Sequence, residues 1–417
     1  MRKISTLFLI SLLISCSSDS TVTEPEVEQQ TDDEIVIEEN EEESFSFPFS
    51  LSIVLKNFSN PSIREGEFIY IDFIETRNNP SFETNLTSLA SLDLNASIIE
   101  NGQDNVLSFI QGSTFEQQEI ITYNLDNGEI SSVLRSDLLI SEENCISIGS
   151  QFRANSTSII SFNNDYCEQI EGIIPIIRNY TTNESEILPK IVEARIGDSF
   201  NLNWATDTHY FFHFDNLDSQ GQSTDQDGLI VYDSRSNEII YEDRTSEKKI
   251  PIIDNQNMIV KKGSTLFDLV DLESRRTLFS NEVSISEGLI IGETIGNAQI
   301  LGNKVGLMIF NLEELKIFPG IYDFESNSSI SFDSEAYREY FRSSGIPVPN
   351  PIRQPKQHIF DIESQTFAVL YHGFTQGIIQ EDNPDFIGLI FMNFEGEIIY
   401  EYEFERKPWL EQVMVKR

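Results

Sequence analysis

Two tyrosines and four basic residues crowd one short stretch of an otherwise acidic chain: Tyr337, Arg338, Tyr340, Arg342, Arg353 and Lys356. Guanidinium groups grip carboxylate or phosphate bidentately and phenol rings stack, so this set has the chemistry to hold an anionic ligand. From Glu335 to His358 the local charge is +2, against a formal net charge of −41 for the whole chain. The competing reading is an arm that packs its aromatics on the body and pairs its arginines with the abundant acids. Among the four histidines, His209 and His213 stand in the aromatic run Thr208–Asp215. A strand there places them on one face about 13 Å apart at ~3.3 Å per residue, too far to share one metal ion.

A second candidate is Ser223-Thr-Asp225-Gln-Asp227-Gly228. It resembles the start of an Asp-rich calcium loop, in which alternate side chains converge on a hard cation, and makes Asp225 and Asp227 candidate Ca2+ ligands. It departs from that pattern at Ser223, where the first carboxylate would stand, and at Val231 and Ser234, where a closing acid would follow. A polar surface loop is the competing reading, and no other cofactor is expected. The sequence holds no G-x-S-x-G, H-E-x-x-H or phosphate-binding loop, and no catalytic residue can be singled out.

The N-terminus carries the most specific pattern. Arg2 and Lys3 precede the apolar stretch Ile4–Ile14, which is too short to span a bilayer, and Leu13-Ile14-Ser15-Cys16 follows. This resembles a bacterial lipoprotein lipobox, which implies a signal peptide over residues 1–15 and lipidation of Cys16. Several acyl chains on one residue give stable anchoring, because each buried methylene adds about 0.8 kcal/mol. Residues 17–45 contain twelve acids and no Lys or Arg, so residues 16–45 read as an extended, self-repelling tether. Ser17-Ser18-Asp19 resembles surface-export signals of Bacteroidetes lipoproteins, and that implies the outer membrane, on its periplasmic side or at the cell surface.

With Cys16 assigned to lipid, Cys145 and Cys167 remain as an even pair in an oxidising compartment. Strand-like runs flank a turn between them, so a disulfide across neighbouring strands is expected, with two separate buried thiols as the alternative. Closing the loop would add roughly 3 kcal/mol by constraining the unfolded chain. The net charge excludes nucleic acid as a default partner, since binding to phosphates runs on cation contacts. Without the signal peptide and tether the body is still near −31.

The body from 46 to 417 must position these groups, and it reads as strands throughout. Short alternating runs of Ile, Val, Phe, Tyr and Leu are separated by Asn, Asp, Ser and Gly. A strand ending in an apolar residue, aromatic in most copies, plus Asx, then a turn and a further strand, recurs, marked by Asn124, Asn163, Asn201, Asp233, Asp271, Asn311, Asp361 and Asn393. The spacings of 32 to 50 residues predict an array of four-stranded units. The Asx side chain can bond its own backbone two residues on, which explains the motif without chemistry. One helix is predicted, capped by Asp333 or Ser334, with Tyr337, Tyr340 and Phe341 on one face and Gly345 at its end.

This hairpin module resembles the β-propellers of the quinoprotein-like and TolB-like kind. The resemblance implies an all-β fold of seven blades, six to eight fitting the same count, each a four-stranded antiparallel sheet. The alternative is a β-sandwich over 46–95 followed by a propeller over 96–417. With only Trp204 and Trp409 the chain lacks the per-blade Trp of docking quinoproteins, so no cofactor follows. The function expected is a non-catalytic binding or scaffold module, monomeric, lipid-anchored, with an envelope protein or glycan as ligand. An envelope glycan hydrolase or lyase, with carboxylates at the propeller mouth, is the alternative.

Overall fold

The protein is described by a computed structural model. It describes residues 47–60, 65–75, 83–85, 87, 90–93, 96–99, 106–114, 117–138, 151–154, 157–165, 172–179, 182, 184–187, 198–217, 223–243, 251–253, 256–262, 265–283, 287–290, 298–311, 316–341, 351–375, 384–404 and 409–416. Cys16, Cys145, Cys167 and Arg342 lie outside the described residues, as does the whole of the tether.

The described residues are nearly all β. They form seven antiparallel sheets in chain order. The first sheet has the order Trp409–Lys416, Leu51–Asn60, Glu65–Phe73, Glu83–Asn85, so a C-terminal strand completes a sheet begun near residue 51. Leu51 pairs with Lys416 and Val54 with Val413. The second to fifth sheets run as meanders from Ser97 to Leu134, Gln151 to Ile187, Asp198 to Asp243, and Pro251 to Glu282. The sixth spans Glu287 to Ser331, its first edge made of two short strands, Glu287–Ile290 and Gln299–Leu301, that both pair with Lys304–Asn311. The seventh is Ile352–Asp361, Thr366–Phe374, Phe386–Asn393, Ile398–Glu403.

These strands are apolar on both faces because each sheet packs against two others. In the first sheet Leu51, Ile53 and Leu55 meet Leu370, Leu389 and Phe391 of the seventh. The alternate residue Val54, with Phe68 and Tyr70, meets Leu107, Phe109 and Ile121 of the second. Successive side chains of a strand point to opposite faces, so the alternation that would leave one face wet is absent here. Second and third sheets share Ile120 and Ile159, fourth and fifth share Val231 and Met258, and fifth and sixth share Phe267 and Val305. Between third and fourth, Asp198–Ala205 lies beside Gln151–Ala154 and Ser158–Asp165. Full burial of such a side chain contributes about 1.5–3 kcal/mol.

Side chains also stitch sheet to sheet. Arg275 Nη1 of the fifth reaches Glu238 of the fourth at 2.8 Å, and Asn281 donates to the Phe324 carbonyl of the sixth at 2.6 Å. Gln299 accepts from the Ile362 N–H at 2.7 Å, and Gln357 accepts from the Met414 N–H at 3.0 Å.

The seven sheets correct the phase of the predicted repeat. Asn124, Asp233, Asp271 and Asn393 do end the third strand of their sheets. Asn311 ends a second strand, Asp361 ends a first, and Asn163 and Asn201 lie inside strands. The equivalent positions in the third and sixth sheets are Asn179 and Asp323. The pairing of Leu51–Asn57 with Trp409–Lys416 lies inside one compact unit, Phe45–Arg417.

Candidate functional site

The helix Glu335–Tyr340 forms where predicted, N-capped by Ser334, whose hydroxyl accepts from the Tyr337 N–H at 3.0 Å. It leaves helical geometry at Phe341, before Gly345. The helix does not stand free. Phe332 just before it stacks on Phe394 at 4.1 Å and on Phe367 at 5.7 Å, and Tyr337 and Phe341 join the core shared by the sixth and seventh sheets. Gly396, at φ 89°, keeps the neighbouring turn clear of the cap, since a Cβ there would lie 2.0 Å from Ser334 Oγ.

Tyr337 is 4% exposed, with its hydroxyl 3.0 Å from His358 Nε2. It is therefore a packing residue and not a stacking platform for ligand, which corrects the expectation from sequence. Burial lowers the His358 pKa to about 3, so this imidazole is neutral near pH 7. Arg338 pairs with Asp333 and lies over the Phe318 ring at 5.3 Å, so its charge is turned to the body. Lys356 sits at a register shift in the strand Ile352–Asp361, between Pro355 and Gln357.

Tyr340 and Arg353 do come together, with two residues that sequence reasoning missed. The Arg353 guanidinium lies 4.3 Å from the Tyr340 ring centroid and 5.8 Å from that of Tyr371, and Arg353 Nη2 is 3.5 Å from Glu401 Oε1. Tyr340 donates to the same Glu401 oxygen at 2.5 Å, and Tyr371 stands 3.3 Å from it. The two phenol oxygens are 3.0 Å apart. Tyr371 reaches Glu401 across the intervening strand because residue 388 is glycine: a Cβ there would lie 2.1 Å from Tyr371 Oη. A glycine inside an apolar strand often marks such an approach, and Phe386-Ile-Gly388-Leu-Ile390 carried that signal.

Burial first, then Glu401 and Tyr371, push the Tyr340 pKa far up. Burial likewise raises Tyr371. Burial pulls Arg353 down, but the two phenols and the Glu401 carboxylate outweigh it and the net shift is upward. Two phenols kept protonated by burial, a guanidinium and a carboxylate thus meet at one point. The assembly is equipped to hold polar groups.

Asp225 and Asp227 lie in the extended strand Ser223–Asp233, with Asp227 opposite Asp215. The predicted loop is thus replaced by ladder pairing, because Leu217 and Ser223 close the hairpin just ahead of it. His209 begins the strand His209–Leu217, as expected from its aromatic neighbours. Its Nδ1 is 2.9 Å from Thr208 Oγ1, and burial lowers its pKa.

No family model matches the chain, and no curated protein does. Among solved structures, the Pyrococcus horikoshii acylaminoacyl peptidase aligns at 11% identity and TM-score 0.45, over 85% of this chain and 50% of that one. The oligogalacturonate lyase of Vibrio parahaemolyticus aligns at 10% identity and TM-score 0.43, over 85% and 86%. The β-propeller domain of the Trilobed protease from Pyrococcus furiosus gives 10% and 0.38, over 76% and 98%. The chain spans half the length of the peptidase.

Proposed function

We propose that this chain is a seven-bladed β-propeller, closed by its own C-terminal strand, that hangs from a bacterial outer membrane by an acylated Cys16 and serves as a non-catalytic binding or scaffold module. Closure is supported by the cycle of shared cores, in which the seventh sheet packs on the first, and by the pairing of Leu51–Asn57 with Trp409–Lys416. The binding role is carried by the Arg353 cluster, which gathers hydrogen-bonding groups from the helix and three strands around a carboxylate. An envelope protein or glycan is the proposed partner, and the protein acts as a monomer.

Palmitate labelling of cells expressing the full chain tests the anchor: label is expected in the wild type and lost in Cys16→Ala, with release of the protein from the membrane fraction. Protease shaving of intact cells reports which side it faces. Capture of an envelope component by the tethered wild type tests the binding role. Turnover of envelope glycan by the purified chain would replace that role with the hydrolase or lyase reading.

A further inference from the structure

Three donors converge on one oxygen of Glu401: Tyr340 Oη at 2.5 Å, Tyr371 Oη at 3.3 Å and Arg353 Nη2 at 3.5 Å. We propose that Tyr340, Tyr371 and Arg353 form a receptor for a ligand carboxylate, and that Glu401 of the chain itself occupies it as a displaceable stand-in. The assignment rests on the binding role proposed above and names the chemistry of its ligand.

The geometry separates receptor from occupant. The Arg353 side chain is 20% exposed and that of Glu401 40%, so the cation is held in the fold and the carboxylate lies toward water. Arg353 is fixed by the Tyr340 ring, and Tyr371 by the clearance over Gly388. Glu401, near the end of the outer strand Ile398–Glu403, meets all three through one oxygen, Oε1. It uses Arg353 poorly: the pair is long at 3.5 Å, and the Arg353 Nε donor is buried with no hydrogen-bond partner. A guanidinium satisfies a carboxylate best through two parallel N–H donors, so the spare donor is capacity that Glu401 leaves unused. With each phenol carrying one hydrogen, Tyr340 gives its own to the carboxylate at 2.5 Å, and Tyr371, 3.3 Å from the same oxygen, would be engaged more closely by a second acceptor oxygen. The strongly negative body repels polyanions, which narrows the ligand to a single carboxylate on an otherwise neutral molecule.

Isothermal titration of the full chain, wild type against Glu401→Ala, tests this with D-glucuronate and N-acetylalanine as carboxylate probes. D-glucose and N-acetylalanine amide are their neutral twins. Removing an intramolecular competitor is expected to tighten at least one carboxylate by about tenfold or more, with no binding of the neutral twin. Adding Arg353→Gln to Glu401→Ala is expected to abolish the gain. Equal affinity in wild type and Glu401→Ala, or equal binding of acid and neutral twin, would overturn the proposal. Should Glu401→Ala fail to fold, Glu401→Gln keeps the size and removes the charge, and a gain of several-fold is expected of it; no gain overturns the proposal equally. Capture of an envelope component by the wild-type chain reads the binding role separately, since it needs no variant at Glu401.

Discussion

The two ends of the seventh sheet use polar residues in opposite ways. At the Asp361 end the turns close with local bonds: Asp361 accepts from the Ser364 N–H at 2.9 Å, Ser364 Oγ lies 2.6 Å from Thr366 Oγ1, and Asn393 accepts from the Glu397 N–H at 2.8 Å. Such turns satisfy their own backbone. At the Arg353 end the groups come from positions 340, 353, 371 and 401, and two buried atoms, Arg353 Nε and Gln354 Oε1, have no hydrogen-bond partner. Polar residues that are near in sequence close turns, whereas residues brought from far apart and left short of partners point to a ligand.

The difference depends on the helix being wedged in place, and the wedge turns on Phe367. This residue is 0% exposed, with the rings of Phe332, Phe360, Phe394 and Tyr337 between 5.7 and 6.4 Å away. Phe367→Ala is expected to cost about 3–5 kcal/mol in urea unfolding. It should also uncouple Tyr340 from Glu401, weakening carboxylate binding while the Asp361 turn stays intact. A loss below about 1 kcal/mol would show that the helix is held by something other than this cluster.

Acid sharpens the comparison next. His358 lies under the helix, against Tyr337, and has its pKa lowered to about 3 by burial. A lowered folded-state pKa means the unfolded chain binds the proton more readily, between the unfolded value near 6.5 and about 3. Stability from this group is therefore complete above pH 6.5 and falls as the pH drops through that window, by at most roughly 1.4 kcal/mol per pH unit. His209, lowered in the same direction, adds to the slope. The thermal midpoint is expected to fall steadily from pH 6 to pH 4, and less steeply in His358→Gln. An unchanged slope in that variant would remove His358 from the account.

Much of this was legible from residues alone, and the part that was not has a physical cause. Strands followed from alternation, the helix and its Ser334 cap from local spacing, and the Asx turns from side chains that bond within three residues, as Asn124 and Asp233 do. The markers Asn311 and Asp361 end a second and a first strand, where Asn124 and Asp233 end third ones, because an aromatic followed by Asx can end any strand. Half of the cluster, Tyr340 and Arg353, stood out by its charge against an acidic body. Tyr371 and Glu401 did not, because their proximity depends on the register of four strands, in which Tyr371 faces Gly388 and Ile390 faces Glu401. Tyr337 and Arg338 looked like their neighbours in sequence, yet one helical turn separates the buried ring of Tyr337 from the half-buried ring of Tyr340.

The smallest expected effect is the most direct measure of the Arg353 end. Tyr371→Phe removes one hydroxyl and leaves the ring, which packs at 5.5 Å from Tyr340 and 6.2 Å from Phe386. Packing is unchanged, so the loss is the hydroxyl's alone, about 0.5–1.5 kcal/mol. The space over Gly388 then holds a hydrogen in place of Oη, too little change to admit a backbone shift. Part of this loss belongs to Glu401 and part to Tyr340, and a double-mutant cycle with Glu401→Gln separates them. Coupling of about 0.5 kcal/mol or more is expected, since Tyr371 Oη and Glu401 Oε1 are 3.3 Å apart. Coupling near zero would mean that the phenol serves Tyr340 only, and the receptor would shrink to Tyr340 and Arg353.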